Sequence, residues 1–278
     1  MPSRRGYATD LSHEEWELLK PLVPGPKPGG RPRAHPAREL LDAIFYVVRG
    51  GCAWRLLPHD FPPWQTAYHY FRAWRIDGTW EQIHAVLREL SRRRSGRERT
   101  PSAAIVDSQS AKTTEQGGPR GYDGAKKISG RKRHLLVDSG GLVMKAKAHP
   151  ADLADRDGAR MLLDGVAEAF PNLSLLWADA GYRGAALREW VTDGMGLTLE
   201  IVQRRRRWRW VPPGGEPPPL PAGFEVIKRR WVVERTFAWI SRNRRMSKDY
   251  ERLGQTTEAL IYIVMIRLML KRLSTGAV

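Results

Sequence analysis

Apolar positions in the first ninety residues return at helical spacing. "TDLSHEEWELLKPL" opens with capping residues and carries Glu14 and Glu15 in its first turn, which predicts a short helix. "VPGPKPGGRPRAHP" cannot continue it, because proline lacks the N–H and fixes φ. "ARELLDAIFYVVRG" predicts a second helix stopped at Gly50 and Gly51, and "WQTAYHYFRAWRIDG" and "TWEQIHAVLREL" predict a third and a fourth. "SRRRSGRERT" then reads as an exposed basic linker.

Beyond Pro101 the texture changes to strands. "SAAIVDSQS" is an apolar run ending in Asp107, and "RKRHLLVDSGGLVMKAKAH" reads as two strands about a Ser-Gly-Gly turn. An amphipathic helix "DRDGARMLLDGVAEAF", a strand leading to Asp179 in "SLLWADAGYRG", a helix "AALREWVTDG" and a strand "LTLEIVQ" follow. "RRRRWRWVPPGGEPPPLPAG" is too rich in proline for a sheet and reads as an exposed loop. Two long helices, from about 227 to 248 and from about 256 to 273, end the chain; the second is apolar enough to pack in the core or to supply a contact between subunits. This order predicts a mixed α/β sheet with flanking helices, residues 98–278, behind a small all-α, helix-turn-helix-like domain, residues 1–97.

Charge narrows the function. The 278 residues hold 47 Lys and Arg against 30 Asp and Glu, a net +17 that favours a polyanionic partner, with nucleic acid first. The most apolar run, "ALIYIVMIRLMLKRL", is shorter than a bilayer span and contains Arg267, and "MPSRRGYATD" has no apolar signal region, so a soluble, cytoplasmic, nucleoid-associated protein is expected. Cys52, the single cysteine, excludes a disulfide framework and reads as a small buried residue. On the third helix Gln65, Thr66, His69 and Arg72 are candidates to face DNA, and Arg31 and Arg33 in "GGRPR" could reach a minor groove or be solvated linker.

Three carboxylates stand out. Asp107 and Asp179 each end an apolar strand, and strands lying side by side would bring both to one sheet edge; for Asp179 alone, capping the following helix explains the residue as well. Glu234 lies on the helix "KRRWVVERTFAWISRNRRM", with Arg230 one turn before it and Arg242 two turns after, where a surface ion pair is the simple reading. Gathered together, the three acids would be hard oxygen ligands suited to Mg²⁺ or Mn²⁺, and two such ions can activate a hydroxyl and stabilise the leaving oxygen at a phosphodiester.

"AIVDSQS", "LLWADAGYRG" and "RRWVVERTFAWISRNRRM", with "GYDGAKKISGRKRHLLVDSGGL" between the first two, resemble insertion-sequence transposases of the DDE class, in the group named after insertion sequence five. The N-terminal "LLDAIFYVVRGGCAWRLLPHDFPPWQTAYHYFRAWRIDGTWEQI" is similar to that group's helical domain. The resemblance implies a ribonuclease-H-like catalytic domain, with Asp107, Asp179 and Glu234 as catalytic, metal-binding acids for two Mg²⁺ or Mn²⁺ ions. It implies double-stranded DNA as partner, inverted-repeat ends and target alike, and a homodimer or larger assembly on that DNA. Arg230 matches the family's Arg before the Glu; Ile227 and Ser241 stand where the family often has Tyr and Lys, with Arg242 and Arg245 near the latter. Tyr182, Arg183, Lys126, Lys132 and His134 match family-like positions and are expected to contact phosphates. His149 and Asp152 could support the site, although a turn and a helix cap explain Asp152 and Asp155 equally. A catalytically retired DNA-binding regulator and a metal-dependent nuclease without strand transfer remain the rival readings.

Overall fold

Ser12 starts the first helix, α1 (His13–Leu19), with a capping box: its hydroxyl accepts from the Glu15 N–H and the Glu15 carboxylate accepts from the Ser12 N–H. The computed structural model describes residues 4–25, 29, 32–202 and 230–276, the side chain of Arg230 excepted. α2 (Ala37–Gly50) ends on Gly51, which at φ 76° takes the left-handed conformation that a Cβ disfavours. α3 (Trp64–Ile76) and α4 (Thr79–Arg94) follow, all four helices preceding any strand. The connection from α2 to α3 is longer than a tight turn because it is itself packed: Leu57 and Phe61 close a small cluster with Ala43, Val47 and Ala67.

The sheet comprises β1 (Ala103–Lys112), β2 (Gly121–Asp123), β3 (Ile128–Asp138), β4 (Val143–Pro150), β5 (Leu175–Ala178) and β6 (Thr198–Ile201). Between β4 and β5 lie α5 (Asp155–Leu163) and α6 (Val166–Ala169), between β5 and β6 lies α7 (Ala185–Met195), and α8 (Arg230–Ser241) and α9 (Gly254–Thr275) follow. β3 is antiparallel to β1 and to β4, whereas β5 and β6 run parallel to β1, giving the spatial order β4-β3-β1-β5-β6 with the short β2 beside the start of β3. This mixed sheet with flanking helices behind an all-helical region is the expected ribonuclease-H-like arrangement.

Period-two alternation divides the sheet into two faces. Ile105, Leu135, Val137 and Val143 join the core under α8 and α9; Ala104, Val106, Leu136 and Leu176 join a second core under α5 and α7. The first core continues without a break into the N-terminal helices through Leu41, Ile44, Phe71, Trp80 and Leu87. α9 makes this possible: its twelve buried residues cover nearly its whole circumference, and it touches α1, α2, α3, α4, α8 and β4. Each large side chain so buried is worth about 1.5–3 kcal/mol. A common core therefore crosses the change of texture near residue 97.

Three local expectations change. The run "SRRRSGRERT" begins as the last turn of α4, where Arg92 is buried and pairs with Asp138, so only its later part is exposed linker. The penultimate helix ends at Ser241, and a separate 3-10 turn, Arg244–Met246, replaces its expected continuation to 248. β2 has too few residues for a pattern. The proline-rich segment read as a loop lies outside the described residues, as do Arg31 and Ile227.

Candidate active site

β1 and β5 are hydrogen-bonded neighbours that run the same way, with Ile105 opposite Trp177. Two residues further along each strand stand Asp107 and Asp179, so the register brings the two carboxylates side by side on one face. Both line a small cavity with Ile105, Trp177, Val202 and, from α8, Val233. One oxygen of each acid is gripped by backbone: Asp107 Oδ1 accepts from the Ser108 N–H at 2.7 Å, and Asp179 Oδ1 accepts from the Gly181 N–H at 2.8 Å. The second bond caps the 3-10 turn Ala180–Tyr182, so Asp179 is a cap and a cavity residue at once. Bonds of this kind to an ionised acceptor are stronger than neutral ones and fix where the carboxylate points.

α8 lies against β1 through Val232, Val233, Phe237 and Ile240. Thr236 Oγ1 donates to the Gly141 carbonyl at 2.8 Å, and Arg235, held between the rings of Trp231 and Trp239, donates to the Gly140 carbonyl at 2.8 Å. Gly141 has φ 84°, and a Cβ there would meet Thr236 Oγ1 at 2.9 Å, so the β3–β4 turn and α8 fit only with glycine. Glu234 is exposed on this helix, one residue from Val233 in the cavity wall. Among the described residues no group of three or more His, Cys, Asp or Glu stands close enough to hold a metal ion. The structure thus joins Asp107 to Asp179 and leaves Glu234 beside the cavity, not converged with them.

The basic run on β3 behaves differently from its sequence reading. Alternation sends Arg131 and Arg133 to the α8 face and Lys132 and His134 to the α5 face, and all four are buried. Arg131 pairs with buried Asp249 at 3.1 Å and donates to the carbonyls of Pro119, Glu251 and Arg252; Arg133 donates to those of Met246 and Lys248. Lys132 pairs with Asp155 at 3.0 Å, and His134 bonds His149 and Tyr182. Contrary to the expectation from the sequence, Lys132, His134 and Tyr182 therefore do not face phosphate; their polar atoms are spent inside the protein. Asp155 is not the expected cap either, since Ala154 holds that place and the carboxylate bridges Lys132 and the Ser108 hydroxyl.

Two family models match the chain. The one described as "Putative transposase of IS4/5 family" covers residues 11–84, and the one described as "Transposase DDE domain" covers residues 98–269, more than half of the sequence. The chain belongs to the DDE transposase family. Among curated proteins it is 31% identical over 115 residues to the insertion element IS402 uncharacterized 16.2 kDa protein of Burkholderia cepacia, which spans 38% of this chain and 76% of that protein. It is 30% identical over 77 residues to the uncharacterized protein y4sN of Sinorhizobium fredii, spanning 28% of this chain and 62% of that one. No solved structure matches it.

Several of the transposase's candidate DNA-facing residues do reach its surface. Gln65, His69 and Arg72 are exposed at successive turns of α3, with Thr66 half-buried beside them. Arg183 and Arg242 are exposed, and Lys126, exposed too, donates to the Ser108 carbonyl at 3.2 Å, next to Asp107. Arg33 folds back, donating to the Pro24 carbonyl and lying over the Tyr70 ring, so it is not outstretched as the minor-groove one of its two readings requires. Arg245 is engaged by Glu251 at 2.7 Å and by the Cys52 carbonyl, so it ties the end of α2 to the turn after α8 instead of facing outward. No helix among the described residues is long and apolar enough to cross a membrane.

Proposed function

We propose that this transposase binds the terminal inverted repeats of its own element, cleaves the 3′ strand at each end and joins the new 3′-hydroxyl to target DNA. The observation that carries the reading is the register that sets Asp107 beside Asp179 at one cavity. The donor set fits hard divalent ions: two carboxylates on adjacent strands, oriented by backbone N–H groups, and, among the described residues, no sulfur ligand lining the cavity. Asp107 and Asp179 would hold Mg²⁺ or Mn²⁺, with Glu234 brought in from α8 when DNA is bound. Two such ions supply Lewis acidity for the attacking hydroxyl and the leaving oxygen.

The chain's own part is binding and orientation. The exposed residues of α3 present Gln65, His69 and Arg72 to the ends, while Lys126, Arg183, Arg230 and Arg242 hold the backbone near the cut. Strand transfer needs two ends and hence two active sites, so a homodimer or larger assembly forms on the DNA. The net charge of +17 makes end binding steeply salt-dependent.

The test is to incubate the protein with the DNA flanking its gene and Mg²⁺ or Mn²⁺, beside an Asp179→Ala control, and map breaks and joined products. Breaks at repeat boundaries with joined products, absent from the control, are expected. Breaks without joining would favour a plain nuclease, and binding with neither product would favour a retired regulator.

A further inference from the structure

The α5 face of the sheet carries a line of buried polar groups that the proposed reaction does not use. His149 Nδ1 on β4 lies 2.9 Å from the Pro150 carbonyl oxygen, and His149 Nε2 lies 2.7 Å from His134 Nδ1 on β3. His134 Nε2 in turn lies 2.9 Å from the Tyr182 hydroxyl, in the turn that follows Asp179. The line passes over β1 at Ser108, which stands directly opposite His134. Its room also depends on Gly158 of α5, where a Cβ would come within 2.5 Å of both His134 Cε1 and His149 Nε2.

These contacts determine every proton. A carbonyl only accepts, so His149 Nδ1 carries hydrogen and donates to Pro150. Burial pushes the His134 imidazole down to about 3 and lowers that of His149, so both rings are neutral at pH 7. A neutral His149 accepts at Nε2; His134 must donate from Nδ1 and accept at Nε2; the Tyr182 hydroxyl must donate.

We propose that Tyr182, His134 and His149 form a proton-ordered strut across the sheet that sets the orientation of Asp179, with Tyr182 as the positioning residue. The inference rests on Asp179 being a metal ligand. Tyr182 is the last residue of the 3-10 turn: its N–H donates to the Asp179 carbonyl at 3.2 Å, and the Gly181 N–H before it grips the Asp179 carboxylate. Anchoring the Tyr182 hydroxyl to β3 and β4 therefore fixes the roll of the turn and the direction of that N–H. Asp155, held by Lys132 and Ser108, braces the same turn, with its Oδ2 at 3.3 Å from where a Gly181 Cβ would stand. A closed network of buried hydrogen bonds specifies geometry in a way that apolar packing does not.

The experiment uses the full chain. Trp177 lines the cavity with both aspartates, so Tb³⁺ bound there is excited through its indole and reports metal affinity without DNA. Tyr182→Phe keeps the ring and removes the donor. It is expected to weaken Tb³⁺ binding, and to raise the Mg²⁺ requirement for cleavage, by about three- to tenfold, the scale of one lost hydrogen bond. The cleavage rate at saturating Mg²⁺ and the binding of end DNA are expected to hold. His149→Gln, which keeps a donor and an acceptor, is expected to lie nearer to wild type than His149→Leu. Nitrogen-15 spectra should show His134 and His149 as Nδ1–H tautomers. Wild-type Tb³⁺ affinity and Mg²⁺ requirement in Tyr182→Phe, or an Nε2–H tautomer at either histidine, would overturn the strut with the metal site intact. Wild-type terbium binding unaffected by Asp179→Ala would overturn the metal-site reading itself, and the positioning role with it.

Discussion

On the α5 face of the sheet, Lys132, His134, His149 and Tyr182 are buried and bonded to protein; on the α8 face, Asp107 and Asp179 stand half-buried at a cavity, each gripped by a backbone N–H. Asp107 and Ser108 are consecutive, yet one side chain belongs to each face. Polar chemistry is closed on one side and turned to a cavity on the other. The difference separates scaffold from site more sharply than residue type does, since both faces are rich in titratable groups. A buried polar group left unpaired costs about 1–3 kcal/mol, so a closed network is what burial requires; acids turned to a cavity need another reason.

The contrast can be broken from either side. The largest effect is expected on the α8 face: Asp107→Ala or Asp179→Ala should lower strand cleavage by about a thousandfold or more, as loss of a catalytic charge does, with end binding and melting temperature little changed. A parallel loss of binding would make these acids structural. Next, Arg131→Ala strands buried Asp249, and removing one partner of such a pair costs about 3–5 kcal/mol; denaturant unfolding measures it. Gly158→Ala forces a methyl against His134 and His149 and should destabilise by about 1–3 kcal/mol, the usual cost of overpacking. Unfolding free energies no lower than wild type would mean the imidazole pair is not packed as described.

The pH dependence sharpens the same contrast. His134 has a folded pKa near 3 against an ordinary 6.5, so the unfolded chain binds more protons between those values. Its contribution to stability is whole above about pH 6.5 and is lost progressively as pH falls towards 3. The difference in unfolding free energy between wild type and His134→Asn should shrink over that window; a difference that stays constant would mean His134 is not held neutral. The smallest effect belongs to the DNA face. Arg72→Ala on α3 should weaken end binding by about 1 kcal/mol and flatten its salt dependence by about one unit of slope, with stability unchanged, as loss of one phosphate contact does.

The strand that carries Asp107, the strand that leads to Asp179, the hairpin of β3 and β4, and the helices on either side are legible in the sequence as apolar runs, a turn signal and helical spacing; that β1 runs on past Asp107 to Lys112, where the sequence had the strand end, is not, because the residues beyond the aspartate are mostly polar. The pairing of the two aspartates needed one further fact, that β1 and β5 are parallel neighbours, which no local pattern contains. "RKRH" misleads for a related reason: four polar residues in a row look solvated, but in a strand covered on both faces they must all be buried, and each found its partner from a distant segment. Arg131 and Arg133, missed in the sequence, could have been suspected from sharing a strand, at alternate positions, with the apolar run Leu135, Leu136 and Val137. Glu234 was legible as a third acid among basic residues, but only the family resemblance favoured a catalytic role over a surface ion pair, and its helix leaves it exposed beside the cavity.

The central claim, that Asp107 and Asp179 act together on metal, is tested most directly by changing ligand softness. Asp107→Cys, and separately Asp179→Cys, should lose cleavage of element ends in Mg²⁺ and regain a measurable part of it in Mn²⁺, because a thiolate is a poor ligand for the harder ion and a better one for the softer. Equal activity of either variant in the two metals, whether retained or lost, would contradict direct ligation by these carboxylates.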